Sequence, residues 1–315
     1  MKKSAVLLIL VLFFAGCAVP KKPPMPSNGP GEMTYLMTTT LSDPRVIATP
    51  TKVAIPTTTK SWNIYESKTL NLISSDVSDP VAALGGSVNY RDNRVTNVWC
   101  TGDLGNELVD AETGQHIPLA ATYSVNGETA STYATTAYKS GSYIYATRMV
   151  TVDGSRHLAL QKFDLSGRML STLKSIHLPE PTTAGLILTT FLGGTTRAKG
   201  GLASVICDDT GNIYWSVVTW WSDHSSPNTY ELYLFDNHDN LLTQMEYDGK
   251  EGFGYYEMSR YHDGAVIPDT HEFINLKTLM RKPLDYPDNF IKASMHHLFY
   301  LDNDGKIYYT DKDYD

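Results

Sequence analysis

Short runs of alternating apolar and polar residues recur along most of the chain, separated by dense turn signals. Tyr143–Thr147 and Asn212–Val218 are two of the runs, and Ser166-Gly167 and Asp304-Gly305 are two of the turns. Alternation with a period of two is typical of β-strands, and Asp-Gly or Ser-Gly pairs are typical of tight turns between them. Helical periodicity is nearly absent. The pattern therefore predicts an all-β architecture.

A longer unit repeats on top of this alternation. It consists of an apolar strand, a tight turn, a second strand rich in Ile and Tyr, and a third strand that ends in Phe-Asp. The unit is most complete over 131–176 and 201–247, and weaker copies lie over 86–119, 255–286 and 297–310. Repeats of this size, with starts roughly 40 to 70 residues apart, indicate a radial or stacked array of small sheets.

The last copy supplies only two strands, whereas a propeller blade needs about four. The runs Trp62–Tyr65 and Thr69–Ile73 have no evident partner strands before them. We therefore expect residues 60–75 to pair with residues 296–310 and so to close a ring. Closure of this kind leaves only short, protected strand edges.

Two motifs support the ring. Phe163-Asp164-Leu-Ser-Gly167 and Asp208-Asp-Thr-Gly-Asn-Ile-Tyr214 resemble the repeats of lipoprotein and enzyme β-propellers, a similarity that extends over roughly residues 60–315. The resemblance implies a β-propeller of five blades, or six if Met33–Thr59 contributes one, closed by N-terminal strands that pair with the C-terminal unit. A pair of β-sandwiches remains the alternative.

The N-terminus has the order of a signal peptide. Lys2 and Lys3 precede the apolar run Ala5–Ala15, which is shorter than the roughly 20 residues that span a bilayer. Phe14-Ala15-Gly16-Cys17 resembles the bacterial lipobox. The resemblance implies cleavage before Cys17 and acylation of its thiol with palmitate-type chains. A plain membrane anchor and ordinary secretory cleavage are the alternatives.

Three segments follow from this interpretation. Residues 1–16 are the signal peptide, 17–32 are the lipidated cysteine with a Pro-rich tether, and 33–315 are the β-propeller-like domain. Five prolines between residues 18 and 32 favour an extended, unpacked tether. The lipoprotein resemblance, with Ala18 after the cysteine, implies a cell-envelope location outside the cytoplasm, on the outer membrane if the cell has two membranes.

The net charge of the chain limits the classes of partner that it can bind. The net charge of the chain is −8, and removal of Lys2 and Lys3 leaves about −10. An acidic surface argues against nucleic acid as a partner, while sugars, peptides or proteins remain compatible with it. Cys100 and Cys207 lie in apolar runs, where they either form a disulfide or remain buried thiols.

Candidate ligand-binding residues come from aromatic and His/Asp groups near polar loops. Aromatic rings can stack on sugar faces or partner side chains, although the same residues also pack between blades. The candidates are Trp220, Trp221, His224, Tyr255, Tyr256, His262, Asp263 and His271.

No metal or cofactor is predicted. The late histidines lack metal-site spacing. Asp302-Asn-Asp-Gly305 has the start of a calcium loop, but the strand-like Ile307-Tyr-Tyr that follows favours a hairpin turn.

No nucleophile or phosphate-loop motif is present. We therefore predict a membrane-tethered extracytoplasmic binding or scaffold protein whose ligand is a protein or a glycan. The alternative is a glycan hydrolase that uses paired carboxylates, an analogy based on fold alone.

Overall fold

A computed structural model describes residues 33–80, 98–101, 107–110, 115–119, 124–125, 128–152, 154–179, 198–222, 227–246, 258–267 and 270–314. Side chains are not described for 98–101 or 124–135. Within these ranges the chain is all-β, apart from a 3₁₀ turn at Pro287–Asn289. No helix among them is long and apolar enough to cross a bilayer.

The described strands form six antiparallel sheets, numbered here in chain order. Sheet 1 contains β2 (Ile47–Ala48), β3 (Lys52–Thr58), β4 (Ser61–Glu66) and β5 (Leu72–Val77). Sheet 2 contains β6 (Val98–Thr101), β7 (Glu107–Asp110) and β8 (His116–Pro118). Sheet 3 contains β9 (Ser124–Val125), β10 (Glu128–Ser140), β11 (Tyr143–Val152), β12 (Ser155–Asp164) and β13 (Met169–His177).

Sheet 4 contains β14 (Lys199–Cys207), β15 (Ile213–Trp221), β16 (Thr229–Phe235) and β17 (Leu241–Glu246). Sheet 5 contains β18 (Ser259–Tyr261), β19 (Gly264–Ile267), β20 (Glu272–Asn275) and β21 (Arg281–Pro283). Sheet 6 contains β22 (Phe290–Ala293), β23 (Leu298–Leu301), β24 (Lys306–Thr310) and β1 (Thr34–Thr38).

Apolar clusters join neighbouring sheets. One cluster spans sheets 3, 4 and 5, a second joins sheets 5 and 6, a third joins sheets 2 and 3, and a fourth joins sheet 6 back to sheet 1. The sheets also meet through single strands, since β10 of sheet 3 contacts β6 of sheet 2 and β14 of sheet 4, and β18 of sheet 5 contacts β22 of sheet 6. Sheets that pack in chain order around such strands form a β-propeller-like arrangement.

The last sheet obtains its fourth strand from the N-terminal part of the domain, but not from the residues expected. Thr34 pairs with Tyr309 and Thr38 with Lys306. The prediction that residues 60–75 would pair with 296–310 is wrong. These residues form β4 and part of β5; β4 pairs with β3 across a two-residue connection, and β5 pairs with β4. A short local hairpin costs less closure entropy than a distant pairing.

One turn design recurs in sheets 3, 4 and 6. An Asp at the end of a strand accepts backbone hydrogen bonds from the residues two and four positions later, as Asp164, Asp208, Asp236 and Asp302 all do. A residue with positive φ follows, such as Gly211 at 86°. Such Asx turns are local, and they favour Asp and Gly at these positions. The turn interpretation of Asp302–Gly305 is therefore confirmed.

Gly305 provides a test of how closely β1 approaches this turn. Its φ is 76°, and a Cβ there would lie 2.4 Å from the carbonyl oxygen of Thr39. Gly154 has a φ of 77° with nothing within 4 Å of a Cβ. We expect Gly154→Ala to cost about 1 kcal/mol of unfolding free energy, from backbone strain alone. Gly305→Ala should cost about 2–4 kcal/mol in the same urea titration, and equal costs would contradict this packing.

Candidate functional site

Two tryptophans lie at one end of sheet 4. Trp220 pairs with Gly200 and Trp221 with Lys199, at the end of β15 and the beginning of β14. The Trp220 indole lies across Gly200, where a Cβ would come within 2.6 Å of the ring. Both tryptophans are partly exposed. We call this end of sheets 4 and 5 the Trp face.

The β19–β20 connection of sheet 5 lies on the Trp face as well. His271, with a φ of 52°, precedes β20, and its ring lies edge-on to Phe290 at 6.2 Å. Its carbonyl oxygen accepts a hydrogen bond from the Leu284 amide at 2.8 Å. Four other candidates lie outside the described residues, namely Cys17, His224, Tyr255 and Tyr256.

The relative direction of sheets 4 and 5 follows from two contacts between their first strands. Ser204 Oγ donates to the Met258 carbonyl oxygen at 3.5 Å, and Arg260 Nη2 donates to Asp209 Oδ1 at 3.3 Å. β14 and β18 therefore run parallel. The turn at Asp208–Asn212 and the His262–Asp263 turn consequently share one end, opposite to the Trp face. We call this end the Asp-turn face.

The structure thus divides the described sequence candidates between two faces. His262 and Asp263 lie on the Asp-turn face, away from Trp220, Trp221 and His271. The amide of His262 donates to the Met295 carbonyl oxygen at 2.9 Å, and its Nε2 bonds the carbonyl oxygen of His296 at 3.1 Å. Asp263 pairs with Lys277 at 2.9 Å, a contact that lowers the pKa of the carboxyl. These contacts join sheets 5 and 6 and stabilise the local turn.

In the Asp turns, the carboxylate oxygens accept hydrogen bonds mainly from residues of the same turn. Hydrogen bonds from Ser166 and Arg168 lower the pKa of Asp164 to about 2. For Asp208, burial raises the pKa, but donors on Thr210 and Asn212 outweigh it and leave the pKa lowered. These carboxylates stay ionised and act within their own turns.

Cys207 is a free thiol buried at the end of β14. Burial raises its pKa to about 12, which suppresses the reactive thiolate. The buried-thiol interpretation is therefore confirmed for Cys207, and it forms no disulfide with Cys100. The side chain of Cys100 lies outside the described part.

His296 and His297 predict a loss of stability below pH 6.5. Burial lowers the pKa of both imidazoles from 6.5, and His297 Nδ1 bonds the Ser67 carbonyl oxygen at 3.1 Å, joining sheet 6 to sheet 1. At His296 the charges of His262 and Lys68 lower the pKa further. At His297 the hydrogen bond to Ser67 and the charge of Asp311 raise the pKa, but burial outweighs them. The unfolded chain therefore binds more protons between the folded and unfolded pKa values, so stability is full above 6.5 and falls as the pH drops.

The measurement is urea unfolding as a function of pH, between 6.5 and the onset of carboxylate titration near 3.8. In His297→Asn an amide replaces the Nδ1 donor and does not titrate. We expect the variant to show a shallower fall in unfolding free energy over this window. An identical slope in both proteins would contradict the assignment.

Arg260 is a buried cation that was not among the candidate residues predicted from the sequence. It is the central residue of β18 and is 2% exposed, and in the described part of the chain its Nε and Nη1 have no hydrogen-bond partner. The feature of the sequence that could have indicated it is a single Arg inside the short run Met258-Ser-Arg-Tyr261. Nothing in that run distinguishes a buried arginine from one that extends into water.

The described residues contain no group of three or more His, Cys, Asp or Glu side chains that could hold a metal ion. The Trp face thus offers partly exposed aromatic rings beside connections between strands. The Asp-turn face offers short, internally bonded turns and the buried guanidinium of Arg260.

No protein-family model matches the chain, and no curated protein matches it. Among solved structures, the chain is similar to an α-L-arabinanase of Penicillium chrysogenum complexed with arabinobiose. The identity is 9% and the TM-score 0.39, over 90% of this chain and 98% of that one.

A quinonprotein alcohol dehydrogenase-like protein of Bacteroides thetaiotaomicron is also similar, with 10% identity and a TM-score of 0.36 over 86% of this chain and 67% of that one. The Nup133 β-propeller domain of Vanderwaltozyma polyspora has 9% identity and a TM-score of 0.31, over 86% of this chain and 82% of that one. Similarities at these values identify neither a family nor a function for the chain.

Proposed function

We propose that the chain is a lipid-anchored, extracytoplasmic binding or scaffold protein that engages a protein or a glycan through the Trp face. Its six sheets close into a ring, so that the strand connections on one face form a continuous mouth. Cys17 carries the lipid, and residues 17–32 hold the ring away from the membrane.

One observation carries the proposal, namely the contrast between the two ends of sheet 4. On the Asp-turn face, five residues (208–212 and 236–240) join each pair of strands, and their side chains bond within the turn. On the Trp face the described strands lie further apart in sequence, with seven residues between β15 and β16 and twelve between β17 and β18, most of them outside the described part. Longer connections on a rigid scaffold are where binding residues concentrate.

Trp220 and Trp221 stand at the base of the first of these connections. Partly exposed aromatic side chains supply much contact area at low entropic cost, and they are enriched at binding hot spots. Of the two, Trp220 packs across Gly200. Because neighbouring strand residues point to opposite sides, Trp221 projects from the other face of sheet 4. No observation on the described residues favours the hydrolase alternative.

A glycan array probed with the full chain in detergent tests the glycan form of this proposal. We expect Trp221→Ala to reduce binding about tenfold or more, as truncation of a hot-spot aromatic does. His238→Ala, on an exposed turn of the Asp-turn face, is the matched control and should bind like the wild type. Equal losses in both variants would contradict a site on the Trp face, and an array without binding would exclude the glycan form.

Metabolic labelling with a palmitate analogue tests the anchor separately. We expect the wild-type chain to incorporate label and to partition with membranes, because two or more acyl chains give stable attachment. Cys17→Ser should lose both properties, while Cys207→Ala should keep them. Label in the Cys17→Ser protein would contradict the lipobox interpretation.

A further inference from the structure

We propose that Arg260 anchors a second ligand site, on the Asp-turn face, that binds a monovalent carboxylate. The site lies where β10 of sheet 3, β14 of sheet 4 and β18 of sheet 5 end, at Ser140, Cys207 and Tyr261. It is independent of the Trp face and of whatever binds there.

The guanidinium of Arg260 is incompletely paired. Among the described residues its one hydrogen bond runs from Nη2 to Asp209 Oδ1, at the long distance of 3.3 Å, while Nε and Nη1 have no partner there. The cation stays charged in any protein environment, so its burial cannot be relieved by loss of a proton. A buried charge with unmet donors is unfavourable, and an anion that meets them is bound with a correspondingly large gain.

Asp209 holds the position that such an anion would take. Its side chain is 82% exposed, whereas that of Arg260 is 2% exposed, so the pair lies at the boundary between the surface and the interior. Nη2 belongs to both two-donor edges of the guanidinium, one shared with Nε and one with Nη1. Each edge uses a different N–H of Nη2, so the single oxygen of Asp209 occupies one edge, and rotation of Asp209 into water frees that edge.

The surroundings favour a carboxylate with one negative charge. A carboxylate matches the planar, two-donor edge of Arg. Asp209 pairs with the cation and would repel a dianion such as phosphate more strongly than a monoanion. Tyr138, from β10, is close enough that the positive charge of Arg260 acts on its hydroxyl, and it brings a neutral donor to the same region. The site therefore combines one cation, one neutral hydroxyl and one displaceable carboxylate.

Thermal unfolding of the full chain in detergent, at pH 7 and constant ionic strength, provides the test. The probes are sodium acetate, sodium phosphate and sodium chloride. We expect acetate to raise the transition temperature with a saturating dependence, because a ligand that binds only the folded state stabilises it. Asp209→Ala should saturate at an acetate concentration about tenfold lower than the wild type, since the competing carboxylate is gone.

Asp236→Ala is the matched control, since it removes an aspartate from the same face whose carboxylate bonds within its own turn rather than with Arg260. It should titrate like the wild type. Arg260→Met should lose the acetate response, and Arg260→Lys, which keeps the charge without the two-donor edge, should weaken it. If both Arg260 variants fail to fold, the Asp209→Ala comparison alone decides.

Three outcomes would overturn the proposal. The first is an equal acetate midpoint in Asp209→Ala, Asp236→Ala and the wild type. The second is a stronger response to phosphate than to acetate, which would contradict selection for a single charge. The third is an acetate response that persists in a folded Arg260→Met protein.

Discussion

Trp215→Ala is expected to lower the free energy of unfolding by about 3–5 kcal/mol, the cost of emptying a large buried site. Trp215 lies on β15 and is fully buried between sheets 3 and 4. Its ring centroid lies 5.3 Å from that of Tyr233, and its Nε1 donates to Thr147 Oγ1 on β11 at 2.9 Å. The substitution removes both the packing and the hydrogen bond that joins the two sheets. Urea unfolding followed by circular dichroism measures the loss of unfolding free energy.

Thr147→Val separates these two contributions, because valine keeps the shape of threonine and removes the acceptor. The indole N–H of Trp215 then stays buried without a partner, which costs about 1–3 kcal/mol. A loss of stability in Thr147→Val as large as that in Trp215→Ala would mean that packing between sheets 3 and 4 contributes nothing. Such a result is incompatible with the apolar cluster described above.

Met37→Asp is expected to cost about 4 kcal/mol or more, because it places a carboxylate in a core that cannot solvate it. Met37 lies on β1 and is buried in the cluster between sheets 6 and 1, where its Sδ accepts a hydrogen bond from the Tyr65 hydroxyl at 3.4 Å. The variant tests whether the N-terminal strand is an integral part of the last sheet.

Tyr35→Asp is the control within the same strand. Tyr35 is 53% exposed, and its ring meets only Tyr308 edge-on at 6.0 Å among the described aromatic contacts. We expect a change within about 0.5 kcal/mol. If Met37→Asp were equally mild, β1 would not belong to the folded core, and limited proteolysis should then cut the chain between β1 and β2 in the native protein.

The strand and turn pattern was predictable because its causes are local. The strand pairs of the unit over 201–247 match β14 to β17, and the Asp208-Asp-Thr-Gly211 turn is present between the first two strands. An Asx turn needs only an Asp and the backbone of the next four residues, so the amino-acid pattern already contains all its parts. The same reasoning correctly favoured a turn at Asp302–Gly305.

The identity of the closing strand was not predictable in this way. Two N-terminal segments, β1 and β4, have similar strand-like sequences, and period-two alternation does not specify a partner for either. The choice is made by local hairpin formation between β3 and β4, which leaves β1 for β24. Pairings between distant segments depend on the whole set of competing contacts.

For the candidate site, too, the sequence predicted part of the arrangement and the tertiary structure decided the rest. Sequence reasoning selected exposed-looking aromatic and His/Asp pairs, and Trp220, Trp221 and His271 share one face. His262 and Asp263 lie on the opposite face because a residue just after β18 emerges where β14 ends, as the Arg260–Asp209 contact establishes. The direction of a strand within the assembled sheets depends on its neighbours, and the sequence of the strand alone does not determine it.

By itself, the sequence determined the all-β class, the repeating unit and the chemistry of the turns, since each depends on residues within a few positions of one another. Only the tertiary structure decided which strand completes sheet 6, which face each candidate residue occupies, and that Arg260 is a buried cation. These properties depend on contacts between segments far apart in the chain. Their energies are set by packing and exclusion of water, and local sequence patterns do not contain that information.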